Sequence, residues 1–179
     1  EIKGGSSHFL VVNSSGLVYG WGSKANYVLG DGVDTGNSPS PTQIAGLSGV
    51  SKIAAGTSHN LAVTSGNVLY AWGLGSSGRL GEGLITDRTT PTNISSTTNF
   101  GTSSLAGKTI SYIEVGGTSS YAIDSSGVVH SWGANASGQL GISPIGTTSA
   151  GYKAREVDTK GTPLEGRNIT LMAAGTTNA

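Results

Sequence analysis

Apolar residues in this chain fall in short runs bounded by glycine, serine or asparagine, and the runs recur in one order. Each unit opens on a small-residue segment: EIKGGSSH, KIAAGTSH and IEVGGTSS. An apolar stretch running into a turn comes next, as FLVVNSSG, NLAVTSGN and YAIDSSG. The turn residues tolerate positive φ or cap locally, which a tight hairpin requires. Gly66-Asn67 stands where the other copies have Ser-Gly, and asparagine is the next most tolerant residue for that role. After the turn come the β-prone segments LVYGWG, VLYAWG and VVHSWG. A loop ending in Leu-Gly follows (KANYVLG, LGSSGRLG, ANASGQLG), and a fourth short strand is expected at PTQI, PTNI and AREV. No stretch carries the periodicity of an amphipathic helix.

The units are in register. Gly5, Gly56 and Gly116 each precede a Trp-Gly pair, Trp21, Trp72 and Trp132, by 16 residues, and Gly175 begins the pattern again. Periods of 51, 60 and 59 residues belong to stacked or radial supersecondary units. Four short strands per period fit an all-β fold built of β-propeller blades of four antiparallel strands. The expected division is blade 1 over 1–49, blade 2 over 50–109, blade 3 over 110–168 and the first strand of a fourth blade over 169–179. Trp21, Trp72 and Trp132 are expected to be buried in equivalent places.

The pattern G-x-x-H-x-L-x-V, S-G-x-V-Y-x-W-G and G-R/Q-L-G resembles the regulator of chromosome condensation repeat. Ala54-Ala55-Gly56, His59, Trp72-Gly73 and Gly78-Arg79-Leu80-Gly81 carry the resemblance best. The third copy keeps Trp132-Gly133, Asn135 and Gly138-Gln139-Leu140-Gly141 but has Ser119 at the histidine position. The first keeps His8 and Trp21-Gly22, with Tyr27 and Val28 where the pattern has Gly and Gln. The resemblance implies a seven-bladed propeller of which this chain supplies about three blades. An open arc exposes two blade faces, so further blades or other chains are expected to pack on them, across Glu1 to Val12 and Ile169 to Ala179.

Composition narrows the function. Ten basic and ten acidic residues give zero formal charge, and charged residues are only 11% of the chain. That argues against a nucleic-acid footprint or an anionic membrane surface as partner. No apolar run is long enough to span a bilayer, so membrane insertion is not expected. Without cysteine there is neither a disulfide framework nor a thiolate metal site. A surface rich in Ser, Thr, Asn and Gly leans towards an extracellular or particle-surface setting, with the compartment left open.

Most chemistry-like motifs dissolve into architecture. Gly73-Leu74-Gly75-Ser76-Ser77-Gly78 satisfies G-x-G-x-x-G, but no helix start follows it to hold a pyrophosphate. Between Gly101 and Gly107-Lys108-Thr109 lie five residues where a phosphate-binding loop needs four. His8 and His59, like Ser119 and Asn178 at the same repeat position, are read as one local hydrogen bond per blade, pinning backbone. His130 replaces Tyr19 and Tyr70 and is read as a packing position. Asp31, Asp34 and Asn37 supply too few oxygens for calcium. No catalytic residue, metal site or cofactor is therefore expected.

What remains is a non-enzymatic scaffold that binds a protein or a glycan through its inter-strand loops. The variable segments are 31–40, 82–90, 95–109, 142–153 and 158–168, and Tyr27, Arg79, Phe100 and Tyr152 are the candidate partner-binding residues. Guanine-nucleotide exchange on a small GTPase, as in the founding member of the family it resembles, is the alternative function. A surface or virion adhesin is the third reading. Sequons at Asn13, Asn93 and Asn168 are candidate glycosylation sites, and Asn135 lies in a fourth at the family's own asparagine position.

Overall fold

A computed structural model of the chain describes residues 1–95, 103–142 and 151–175. Three four-stranded antiparallel sheets account for its regular structure, each a simple meander in chain order. The first holds β1 (Ile2–Gly4), β2 (His8–Val12), β3 (Val18–Ser23) and β4 (Asn37–Gln43). The second holds β5 (Val50–Ala55), β6 (His59–Thr64), β7 (Leu69–Gly73) and β8 (Arg88–Asn93). The third holds β9 (Ile110–Val115), β10 (Ser119–Asp124), β11 (Val129–Gly133) and β12 (Gly151–Glu156). Single 3-10 turns, Ala25–Tyr27 and Ser76–Gly78, are the helical elements among the described residues. None is long and apolar enough to cross a membrane. The chain is all-β, in three propeller-type blades.

The fourth strands begin earlier than the sequence suggested. Asn37–Ser40, Arg88–Thr90 and Gly151–Lys153, read above as loop, already pair in β4, β8 and β12. Each of these strands pairs with its neighbour across a register shift, which lets a polar stretch join the ladder. Ile169–Gly175 forms no strand. It still runs beside β9: Gly117 N–H donates to Gly175 O, and the Tyr112 hydroxyl donates to Met172 O.

The apolar core lies between blades. Leu10, Val18, Ile44, Ile53 and Trp72 join the first two sheets, while Leu61, Leu80, Ile113 and Trp132 join the second and third. Trp72 and Trp132 are fully buried, and their indole N–H groups donate to Val28 O and Arg79 O, each in the loop of the preceding blade. Trp21 has no preceding blade in this chain. It is half-buried and stacks on Phe9 with ring centroids 5.4 Å apart, so the expected equivalence of the three tryptophans fails for the first.

The glycines beside these tryptophans follow from the same packing. Gly22, Gly73 and Gly133 sit at φ of 105–107°. A Cβ there would lie 2.5–2.6 Å from a carbonyl oxygen of the loop between the first two strands. No L side chain fits either condition. Gly81, of the Leu-Gly pair, touches the Trp132 indole so closely that a Cβ would approach Nε1 to 2.6 Å.

Candidate partner face

In a four-stranded meander, the loop from strand one to two and the loop from three to four emerge at the same end. Backbone bonds tie the two together in every blade: Ser23 N–H to Ser7 O, Leu74 N–H to Ser58 O and Ala134 N–H to Thr118 O. The opposite end carries the tight turns and the connections between blades. There Val50 N–H donates to Gly16 O, Ile110 N–H to Asn67 Oδ1 and Ile169 N–H to Gly127 O. At this end each blade is thus fastened to the segment that follows it.

On the first face, the loop of one blade is stapled to the outer strand of the next. Gly32 N–H donates to Thr89 O, and Gly83 N–H donates to Tyr152 O. Glu82 is completely buried, and its carboxylate takes three bonds of 2.6–2.9 Å from Arg88 Nε and Nη2. Leu84 and Ile85 are exposed, Ile85 at 61%, and Val33 is exposed at the matching place in the first blade. Tyr152, 47% exposed, lies over Gly78 beside them. Sequence reasoning missed Val33, Leu84 and Ile85. The signal available was an apolar residue four places after each Leu of the Leu-Gly pair, Leu29 and Leu80.

The four candidate partner residues are not brought together as a set. Tyr27 lies on this face, half-buried, with φ of 58° where the other blades have Gly78 and Gly138. A positive φ on a bulky residue is strained, and such strain is concentrated at functional positions. Tyr152 also lies on this face. Arg79 does not qualify as a contact residue: it is 6% exposed, and its Nε and Nη2 fold back onto Ser76 O and Oγ at 2.9 Å. Its carbonyl has the larger role, accepting from Trp132 and from the Ser120 hydroxyl. Phe100 lies outside the described residues. Asn13, Asn93 and Asn168 are exposed, although Asn13 Oδ1 already caps its own turn.

The histidines do more than the local pinning expected of them. His8 Nε2 meets Asn60 Oδ1 at 2.7 Å, and His59 Nε2 meets Ser120 Oγ at 2.8 Å, both in the following blade. Asn60 Nδ2 donates on to Val28 O, and Ser120 Oγ donates to Arg79 O. The imidazoles must therefore carry their proton on Nε2, leaving each Nδ1 buried without a partner. Burial pushes His59 down to about 3 and also lowers His8, so both stay neutral. Ser119, at the same repeat position, bonds within its own blade to Ala134 O; Asn178 lies outside the described residues.

In the first nucleotide-like motif and the oxygen cluster, Gly75 and Asp31 are already engaged by the chain itself. Gly75 N–H donates to Asp87 Oδ1, and a Cβ on Gly75 would collide with Thr86 O. Asp31 pairs with Lys24 at 2.5 Å and caps Val33 N–H. Among the described residues, no group of three His, Cys, Asp or Glu is placed to hold a metal. The glycine-rich stretch before Lys108 lies partly outside the described residues.

The regulator of chromosome condensation (RCC1) repeat model matches residues 15–63 and 67–123, and a second model of the repeat matches 50–79. The chain belongs to the RCC1 repeat family. It is 34% identical over 177 residues to the ultraviolet-B receptor UVR8 of Arabidopsis thaliana, covering 97% of this chain and 37% of the receptor. It is also 34% identical over 145 residues to the human E3 ubiquitin-protein ligase HERC2, covering 79% of this chain and 3% of the ligase. Among solved structures, Prp20p of Saccharomyces cerevisiae superposes with a TM-score of 0.79 at 18% identity, over 98% of this chain and 41% of that one. Human WBSCR16 superposes with a TM-score of 0.76 at 23% identity, over 98% of this chain and 42% of its own. The RCC1 repeats thus account for the propeller fold, and the chain spans about two fifths or less of these relatives.

Proposed function

We propose that this RCC1-repeat arc is a non-enzymatic binding scaffold whose partner is a protein seated on the face that carries Tyr27, Val33, Leu84, Ile85 and Tyr152. The carrying observation is that matching loops of two blades expose apolar side chains at matching places, Val33 in the first and Leu84 in the second. Apolar residues exposed in neighbouring loops mark interaction surfaces. Zero net charge favours a partner of low charge over a polyanion. A photo-crosslinking residue at Leu84, compared with one at exposed Asp158 on the opposite end, tests this. Crosslinks to one defined protein from Leu84 alone support the reading; equal or preferred capture from Asp158 overturns it.

Guanine-nucleotide exchange is the second reading. Yeast Prp20p, which shares this fold, is described with binding to Gsp1p and to histones. No exchange residue of this chain can be named. Release of a fluorescent nucleotide from a panel of small GTPases, with and without the protein, decides between the two readings.

We also infer that the open face of the first blade receives a further RCC1-type blade. Trp21 stands where Trp72 and Trp132 accept a neighbour's loop, and Ile2 and Phe9 lie exposed beside it. The blade expected there presents a loop carbonyl to the Trp21 indole, as Val28 does to Trp72. Sedimentation of the 179-residue chain should show self-association through that face. A stable monomer that unfolds in one cooperative step would refute it.

A further inference from the structure

Two residues of the third blade depart from the repeat, and they touch each other. The turn after each second strand is capped by Asn13, Thr64 or Asp124. Asn13 Oδ1 accepts from Ser15 and Leu17 N–H at 3.0 and 2.9 Å. Asp124 Oδ1 does the same for Ser126 and Val128 N–H at 2.8 and 3.0 Å. One oxygen therefore satisfies the architecture, and Asp124 has a second, charged one to spare. Oδ2 lies 3.4 Å from His130 Nε2, with Lys108 Nζ at 3.7 Å. His130 occupies the place of Tyr19 and Tyr70, and both it and Asp124 are buried. On the far side of the ring, Nδ1 lies 2.7 Å from Ser104 Oγ, in the connection between the second and third blades.

With an ionised Asp124, the imidazole proton belongs on Nε2, and the Nδ1 lone pair is left to accept the Ser104 hydroxyl proton. Backbone bonds from Val128 and Ser126 hold the Asp124 carboxyl below its ordinary value despite burial, which alone would raise it. This is the nucleophile, base and orienting-carboxylate order of a serine hydrolase, with the ring turned end for end. Ser103 and Leu105, on either side of Ser104, line a cavity of about 110 Å³ together with Lys108, Trp132 and Ala154. Ser104 itself is half-buried and does not line that cavity, so a small reagent is the probe suited to its hydroxyl.

We propose that Ser104 is a reactive serine, activated by His130 as base and Asp124 as the residue that positions it, and open to covalent capture of small activated acyl or phosphoryl esters. The arrangement favours a lasting adduct over turnover. Ser104 N–H already donates to Ala154 O and Leu105 N–H to Ser103 Oγ, so neither is free to stabilise an oxyanion during hydrolysis of the adduct. With a fluorophosphonate, Ser104 Oγ attacks phosphorus and the Oγ–P bond forms as the P–F bond breaks. Fluoride leaves with the bonding pair, and the hydroxyl proton passes to His130 Nδ1.

The test is labelling of the native protein with a small alkyl fluorophosphonate, followed by peptide mass spectrometry. The expected result is one phosphonyl adduct, on Ser104, lost in Ser104→Ala and retained in Ser103→Ala. Asp124→Asn keeps the turn cap, as Asn13 does, and should slow labelling about tenfold or more while tryptophan emission stays native. The pH midpoint of the remaining labelling should also fall. Asp124 and Glu156 raise the proton affinity of His130, and Lys108 lowers it against the larger effect of burial, so loss of the Asp124 charge leaves a weaker base. No adduct on Ser104 of the folded protein would overturn the proposal. So would labelling at an unchanged rate and pH midpoint in Asp124→Asn.

Discussion

Replacing Trp72 with alanine tests how the blades are joined. The indole is completely buried between the first two sheets, among Leu10, Val18, Ile44 and Ile53, and its N–H reaches Val28 O at 2.9 Å. Truncating a buried Trp to Ala costs about 3–5 kcal/mol from lost transfer energy and cavity together. The lost hydrogen bond adds little here, because Val28 O keeps the Asn60 Nδ2 bond at 2.8 Å and is not orphaned. With a urea slope of about 2 kcal/mol per molar, the midpoint should fall by about 1.5–2.5 M. Trp132→Ala should match it, since that indole is equally buried and bonds to Arg79 O. Trp21→Ala is the internal control. Its ring is half-buried and rests mainly on Phe9, so in the 179-residue chain it should cost only about 1–2 kcal/mol. A polypeptide that carries a blade against Trp21 should raise that cost to the Trp72 range. Equal midpoints for Trp21→Ala and Trp72→Ala in the 179-residue chain would refute the inter-blade account, as would a near-native midpoint for Trp72→Ala.

Two further outcomes are expected. Burial lowers His59 from 6.5 to about 3, so the unfolded chain binds more protons throughout that window and stability must fall as pH drops through it. The effect is about 5 kcal/mol at most, and His59→Gln should flatten the dependence of the urea midpoint between pH 7 and 4; an unchanged slope would exclude His59 as its source. At the second turn, Asn67 combines φ of 62° with two side-chain bonds into the next connection, Nδ2 to Lys108 O and Oδ1 from Ile110 N–H. Asn67→Gly, which restores the residue of the other two turns, should cost less than Asn67→Ala, which keeps the strain and loses both bonds; thermal midpoints of the two variants check the order.

The architecture was legible because each of its requirements falls on one residue type at a fixed spacing. A backbone at φ near 105°, hard against a carbonyl, admits only glycine, so Gly22, Gly73 and Gly133 cannot vary. A carbonyl offered by the preceding blade calls for a large side chain with one N–H, which is tryptophan. The fourth strands were placed late because they are polar and edge-exposed, and edge pairing depends on backbone geometry that no hydrophobic period reports. His8 and His59 were recognised as architectural, yet their partners Asn60 and Ser120 were not. The contact crosses a blade boundary, 52 and 61 residues along the chain, and the partner differs between copies.

The same logic says where chemistry can hide in a repeat. Comparing copies assigns every matched position to the fold and leaves the mismatches, such as His130, to be explained by what they touch. A mismatch carries more information when counted in atoms than in residues. Asp124 caps its turn with one oxygen, as Asn13 does, so the cap explains the residue but not its charge. His130 puts a smaller ring where the other copies have tyrosine, so packing explains a buried ring but not its two nitrogens, and both of those find partners. The partner that completes the set, Ser104, sits in a connection that no other copy shares, so repeat alignment has nothing to set beside it. Arg79 is the converse case. A lone cation in a loop suggested a contact residue, yet its guanidinium is spent on Ser76 and its backbone oxygen on Trp132. Once the atoms that the propeller consumes are subtracted, the loop apolar groups remain on one face and the Ser104–His130–Asp124 array remains in the third blade.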